Sequence, residues 1–468
     1  METLQHIIDV TNDLLWTYIM IAALIACALY FTVRSGFVQF RMIGEMIRQL
    51  ANSNERHHEQ GKHISPFQAF AVSLASRVGT GNLAGVATAI AVGGPGAVFW
   101  MWVIALIGSA NAFIESTLAQ LYKRRTEDSF IGGPAYYILH GLKCRWMAVL
   151  FSVLTILTFG FAFNTVQSNT LCEAVENAFG ISHVYIGIAI TVMTLIIIFG
   201  GIQRIAKVSS VIVPIMALGY ILLALTIVVL NISQLPAVLE LIFKNAFGVE
   251  QVVGGGVGAA LMQGIKRGLF SNEAGMGSAP NVAATASTSH PVKQGLVQVL
   301  SVFIDTILVC TATAFLCMCS GIEPTEAISG APYVQAALGK TLGAFGPAFI
   351  TIAMILFAFT TLLGNLYYVD KCLIYMLRRV PGKTFMRVYH IIASLVIFVG
   401  AGLSADLLWN IADITMGGMT LINMPVILIL SKYALRALKN YDEQRKDGKE
   451  PVFRARDIGL PHEVDCWK

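Results

Sequence analysis

The sequence predicts an all-α polytopic membrane protein of eleven transmembrane helices, a five-plus-five inverted repeat with one extra N-terminal helix. Three observations predict it. The 468 residues are 56% hydrophobic and only 13% charged, with a mean hydropathy of +0.69, whereas soluble domains carry roughly 25% charged residues. Apolar runs recur at the ~20 residues that a spanning helix needs. Two runs, in corresponding halves of the chain, are interrupted by glycine-rich polar segments. These read Ser76-Arg77-Val78-Gly79-Thr80-Gly81-Asn82 and Gly268-Leu269-Phe270-Ser271-Asn272-Glu273-Ala274-Gly275-Met276-Gly277. Hydrocarbon tolerates unwound polar backbone only where protein buries it or it lines a cavity. Paired interruptions of this kind point to a solute site near mid-membrane.

The first span, 14–33, follows an acidic flank (Glu2, Asp9, Asp13) and precedes no small-residue cleavage site. It therefore reads as a retained helix and not as a signal peptide. The second span, 67–92, holds the first interruption. Spans at 97–121, 146–178, 184–201 and 208–231 follow. The seventh, 252–285, holds the second interruption, and 294–320, 346–377, 388–403 and 406–431 complete the set. With the first span set aside, the interrupted helices become the first and sixth of ten, each opening a group of five. An odd number of crossings per group reverses the second group in the bilayer, hence the inverted repeat. The expected units are 1–66, the extra helix and a basic loop; 67–231 and 232–431, the two repeats, the second with external cap segments; and 432–468, a cytoplasmic tail.

Charge tests the count independently. With the N-terminus outside and the C-terminus inside, all but five of the 32 Lys and Arg residues fall on cytoplasmic segments or the tail. Among these are Arg56, Lys62, Arg204 and Lys468. Lys244 and Lys340 are external, and Arg77, Lys266 and Arg267 lie within spans. The net charge of +5 thus reports topology, not an anionic partner. Pro134 to Arg145 and Leu235 to Phe247 are amphipathic and suit the inner and outer surfaces. The polar, glycine-rich stretch Gly321–Pro347 suits a cap over an outer vestibule. The tail from Lys432 is expected to be partly helical and solvated. Cys317 and Cys319 read as packing residues, since the eight cysteines show no zinc spacing. No HExxH, GxSxG or P-loop occurs, so an intramembrane enzyme is not indicated. A channel would want a continuous ring of charges or carbonyls, and the chain has two local breaks.

Gly79-Thr80-Gly81-Asn82, followed by Gly94-Pro95-Gly96-Ala97-Val98-Phe99-Trp100-Met101-Trp102, resembles the signature of the alanine/glycine:cation symporter family. Ser271-Asn272-Glu273-Ala274-Gly275 is similar to that family's second discontinuous helix. The resemblance covers essentially all the spans. It implies a leucine-transporter-like fold with discontinuous first and sixth core helices. It also implies import of a small neutral amino acid of the alanine or glycine class, coupled to sodium by alternating access, in a bacterial cytoplasmic membrane. No organic cofactor and no nucleic-acid partner are expected; the lipid bilayer is the other partner, and a monomer is compatible with this reading. A proton-coupled symporter or exchanger of the same fold is the alternative, with a channel further off.

A zwitterion needs an anion site beside a weaker cation site. A break at Gly79–Gly81 frees backbone N–H groups at the positive end of the following half-helix. Thr80 and Gly81 are therefore the carboxylate candidates and Asn82 adds an amide, unless the glycines serve only close helix packing. Phe270 can lid the pocket while Ser271, Asn272 and freed carbonyls receive the ammonium, roles the resemblance also supports. Asn164 and Gln167 share a helix face, and Gln167 serves either the solute or a neighbouring helix. For sodium, the resemblance implies Thr360 and Thr361 with the carbonyls of Ala75 and Val78. The alternative is that each hydroxyl bonds a carbonyl of its own helix. A weaker second ion site combines Asn82, Ser271 and Asp305; Asp305 can equally carry a proton or bond neighbouring helices. Arg77 should have an anionic partner, Glu273 or Glu115, or else reach an aqueous inner vestibule. If it points at Thr360 instead, its charge would stand in for sodium.

Overall fold

The computed structural model describes residues 2–52, 64–126, 129–199, 201–248, 256–325, 328–379, 381–460 and 464–467. Arg56, Lys62, Lys468, the start of the 252–285 span and the side chain of Arg204 lie outside them. The chain is a polytopic helical membrane protein. Among the described residues, eight helices are long and apolar enough to cross a bilayer: Gln5–Arg34, Gly96–Leu121, Arg145–Phe179, Ile205–Leu230, Pro291–Cys319, Phe345–Leu377, Lys383–Gly400 and Ala405–Lys446. His183–Ile198 is shorter and strongly apolar.

The two glycine-rich spans are broken. Ser65 and Gln68 form a reciprocal capping box ahead of Pro66 and start the helix Pro66–Arg77. Regular helix is lost at Val78 and Gly79, and the chain resumes as Gly81–Gly93. In the second half, Val257–Asn272 stops where Glu273 adopts a left-handed conformation (φ 56°), and only the short turn Pro280–Ala283 follows. Glycine lets these pieces press close. A Cβ at Gly264 would come within 2.4 Å of the Ala97 carbonyl oxygen, and one at Gly364 within 2.8 Å of the Ser76 nitrogen. The broken pieces thereby seat directly on the long helices Gly96–Leu121 and Phe345–Leu377.

The expected surface helices form as Pro134–Gly141 and Leu235–Ala246. The expected cap contains the helix Gly330–Leu342, whose start lies against Ala84 and Thr88 of the first broken helix. Two expectations need correction. Arg124–Arg125 and Phe130–Ile131 pair as a small antiparallel hairpin, too short to register as alternation in the sequence. The tail is partly helical as expected, but beyond its helix it is docked and not simply solvated. The helix Ala405–Lys446 runs about 63 Å at 1.5 Å per residue, well past a bilayer core. Beyond it, Phe453 and Trp467 are buried, Phe453 N–H donates to the Ser289 carbonyl (3.0 Å), and Trp467 Nε1 donates to the Gln120 carbonyl (2.7 Å). Two aromatic rings outweigh the charge pattern because they have helix ends to cover.

The tail helix is tied to the helix Ile43–Ala51 through Glu45, which accepts from Tyr441 (2.6 Å) and pairs with Arg445 (3.0 Å). Burial alone would raise the Glu45 pKa; the hydrogen bonds from Tyr441 and Gln49 and the charges of Arg445 and Arg48 outweigh it and hold it below the ordinary value of 4.5. A depressed folded-state pKa contributes stability above the unfolded value and loses it as pH falls through the folded one. Thermal unfolding scanned from about pH 6 to pH 3 should show a steeper acid loss in the parent chain than in Glu45→Gln. Parallel profiles would remove Glu45 from the acid response.

Candidate functional site

Polar groups freed at the first break are met by side chains, one from its own second half and the others from distant helices. Gly79 N–H donates to Asn82 Oδ1 (2.9 Å) and Thr80 N–H donates to Gln167 Oε1 (2.9 Å). Thr361 Oγ1, on the helix Phe345–Leu377, lies 2.9 Å from the Ala75 carbonyl oxygen and 3.2 Å from that of Val78. One hydroxyl hydrogen cannot serve both carbonyls fully. Two carbonyl oxygens therefore flank the hydroxyl oxygen, and these are donors of the type that suits a hard monovalent cation. Thr360, one residue earlier, turns the other way. Its hydroxyl bonds the Leu356 and Phe357 carbonyls of its own helix and touches Met216 Sδ. The pair expected to act together is split between two faces of one helix.

Carboxylates hold the second break. Glu273 accepts from Ser76 (3.1 Å), Ser278 (2.6 Å) and Tyr368 (3.2 Å), which links the second break to the end of the first broken helix. Glu115 accepts from the Gly275 N–H (3.2 Å) and from Asn423 Nδ2 (2.9 Å), while Asn423 also donates to the Gly275 carbonyl (2.9 Å). Gly275 sits at φ 93°, where a side chain would be strained and would press on Asn111.

Between the breaks lies one polar cluster. Asn82 Nδ2 donates to Asp305 Oδ1 (2.7 Å) and to Ser271 Oγ (2.9 Å), and Ser271 Oγ donates to Asp305 Oδ2 (2.7 Å). Thr306 also donates to Asp305 Oδ2 (2.8 Å). Asn82 and Asp305 each sit in a π-helical turn, Gly81–Gly85 and Phe303–Cys310, a distortion that often accompanies functional sites. Phe270 packs over this region, its ring centroid 4.3 Å from Phe163 and 4.7 Å from Trp409. A Cβ at Gly81 would come within 2.7 Å of that ring.

Some expected partnerships are absent. Arg77 is buried, yet among the described residues it forms no ion pair with Glu273 or Glu115. Its NH1 reaches Gln298, at 3.2 Å to Oε1 and 3.4 Å to the carbonyl, and Nε and NH2 have no partner. Glu273 and Glu115 are already occupied by serine, tyrosine, asparagine and peptide donors. They act on Arg77 only through space, as does Asp305. Nor does Arg77 meet Thr360. Asn164 Oδ1 accepts from Asn365 (2.9 Å) and Asn272 Oδ1 accepts from Ala274 N–H (3.0 Å). Among the described residues, Asn164 Nδ2, Asn272 Nδ2 and Thr80 Oγ1 are buried without a partner. Buried polar atoms are rarely left so, and they are available to a bound solute.

Sequence reasoning passed over a second charged group. Arg267 NH2 pairs with Asp413 (2.7 Å) and its guanidinium stacks 4.2 Å over Trp409, with Lys266 3.8 Å from the same carboxylate. All three charges lie within spans, which was signal enough to single them out. Asn365 and Asn423, single amides inside apolar runs, carried no comparable signal. Gly81→Ala tests the close approach to Phe270. Overpacking of this kind costs about 1–3 kcal/mol, so initial uptake should fall several-fold. The losses from Gly81→Ala and Phe270→Leu should fail to add when combined; strict additivity would separate the two residues.

The sodium:alanine symporter family matches residues 1–455. A protein named "Probable sodium/glutamine symporter" from Bacillus subtilis (strain 168) is 48% identical over 466 residues, covering 100% of this chain and 96% of that one. The sodium/alanine symporter of Methanococcus maripaludis is 37% identical over 449 residues, 94% of this chain and 98% of that one. Among solved structures, a manganese transporter from Eremococcus coleocola superposes with a TM-score of 0.55 at 11% identity, over 82% of this chain and 81% of that one. At that identity the likeness is one of fold alone.

Proposed function

We propose that this chain, which belongs to the sodium:alanine symporter family, imports a small neutral amino acid together with sodium by alternating access. Membership makes it a cation-coupled amino-acid symporter; the solute and the ion are the proposal. The observation that carries it is the meeting of the Thr361 hydroxyl with the carbonyls of Ala75 and Val78 at the first break. A sodium ion there would replace one shared hydrogen with contacts to all three oxygens. Asn82, Ser271 and Asp305 form the weaker second candidate. Thr80, Gly81, Asn164, Asn272 and Phe270 surround the solute, and Gln167 positions the Thr80 amide. Thr360 enters only as a helix-packing hydroxyl.

In this reading each broken helix counts as one crossing. With His183–Ile198 and the eight long helices, eleven crossings result, arranged as five plus five behind the N-terminal helix, with N-terminus outside and C-terminus inside. The driving force suffices. One sodium at ~100 mV supplies about 2.3 kcal/mol and a tenfold gradient about 1.4 more, enough for roughly 500-fold accumulation.

A second solute deserves a place in the assay, because the relative at 48% identity is named for glutamine. Radiolabelled alanine, glycine and glutamine should be offered to proteoliposomes holding the full chain. The expected result is uptake of alanine or glycine that needs an inward sodium gradient and survives a protonophore. Thr361→Ala should raise the sodium concentration for half-maximal uptake by roughly ten- to a hundredfold, while Thr360→Ala stays near the parent. Uptake that ignores sodium and collapses with the protonophore would assign the coupling to protons instead.

A further inference from the structure

We infer that the C-terminal tail positions the inner ends of both broken helices and so sets how readily the inner side opens. This deepens the alternating-access reading and takes its orientation from it, but owes nothing to sodium coupling. Alternating access around a central site needs the inner ends of the two broken helices to part. In this structure they are joined. Ile64, just ahead of the helix Pro66–Arg77, pairs as a parallel bridge with Ala286, just beyond the turn Pro280–Ala283. Ser287 N–H donates to the Ile64 carbonyl (3.2 Å), and Pro280–Ala283 packs on Pro66–Arg77.

The tail grips this seam from both flanks. On one flank, the helix Ile43–Ala51 leads toward Ile64, and Tyr441 and Arg445 hold its Glu45 while Glu450 meets its Arg48 (3.6 Å). On the other, the loop after Ala286 is bound by residues 440–453. The Ser289 carbonyl accepts from Phe453 N–H (3.0 Å), and Ser289 Oγ donates to the Pro451 carbonyl (3.0 Å). The His290 ring lies against both Tyr441 (4.9 Å) and Phe453 (5.1 Å), and Lys293 pairs with Glu450. Trp467 adds a third hold. Its Nε1 donates to the Gln120 carbonyl, while Gln120 Nε2 donates to the carbonyls of Ala283 (2.5 Å) and Ala286 (3.0 Å). Phe453 and Trp467 meet edge to face at 5.5 Å, so these holds share one aromatic core. Exposed charge pairs contribute little, whereas buried rings contribute much; Phe453 and Trp467 therefore carry the grip. Anchoring the tail alone would need only one flank. Holding both couples the parting of the seam to the release of the tail.

Thiol labelling of the full chain in nanodiscs, without solute or sodium and read peptide by peptide by mass spectrometry, tests this apart from transport. Ala286→Cys places a reporter at the seam, and Ser394→Cys places a buried control on the helix Lys383–Gly400. A buried thiol reacts only when its surroundings open, so its labelling rate tracks the open population. Phe453→Ala with Trp467→Ala should speed labelling at residue 286 roughly tenfold, the equivalent of about 1.4 kcal/mol. Residue 394 should keep its parent rate. Phe453→Tyr with Trp467→Phe retains the rings and should bring residue 286 most of the way back. Unchanged labelling at residue 286 in the double alanine chain would overturn the inference. Faster labelling at both reporters would reveal a general loosening of the fold and would overturn it as well. A failure of sodium-driven uptake would leave these rates standing.

Discussion

A peptide group set loose inside a hydrocarbon layer must find a partner, and the rest of this structure is arranged around that demand. An unpaired backbone N–H or carbonyl in lipid costs several kcal/mol. Each break is therefore affordable only because other helices answer it. Gln167 takes the Thr80 amide, Asn82 takes that of Gly79, Thr361 covers two carbonyls, and Glu115 with Asn423 brackets Gly275 from both sides. All of these partners except Asn82 come from helices far apart in sequence. The breaks thus act as joints that fasten the bundle together while keeping polar atoms at its centre.

Close packing lets the joints be short. Glycine at 264 and 364 brings the broken segments into backbone contact with the long helices, so that side chains as small as serine and threonine can reach across. Ser76 shows the consequence: its hydroxyl lies within reach of both Glu273 and Asn365, and Asn365 passes the chain of hydrogen bonds on to Asn164. Four predicted or neighbouring polar residues from four helices become a single network. Such networks specify one arrangement strongly, because losing any member leaves a buried group unsatisfied.

Buried charge is handled in two ways here, by neutral partners around Arg77 and by direct pairing at Arg267. Arg77 faces three carboxylates through space but contacts none, and those carboxylates are held by neutral donors. Arg267 and Lys266 share the single carboxylate of Asp413 beside the aromatic stack of Trp409, Phe270 and Phe163. Arg77 is thus held without a tight pair, whereas Arg267 is locked in one with Asp413.

Reading the chain without its structure was most effective where chemistry is strict. Few side chains can sit in hydrocarbon, so length and apolarity locate most of the long helices to within a few residues, although the first begins well before residue 14 and the last runs on to Lys446. Glycine beside polar groups at mid-span located both breaks for the same reason. Asn82, Ser271 and Asp305, expected as a weaker second ion site, come together as a hydrogen-bonded cluster. Rotation about a helix axis was not legible. Thr360 and Thr361 are equivalent in composition, yet a turn of about 100° per residue sends one to the break and the other to its own backbone. Arg77 is expected to meet the nearest acids but reaches Gln298 in space, where other donors occupy Glu273 and Glu115. The tail looked solvated by charge and was docked by Phe453 and Trp467. Composition decided which segments enter the membrane and where they come undone; only three-dimensional packing decided which atoms face each other, since that depends on helix rotation and on partners hundreds of residues away.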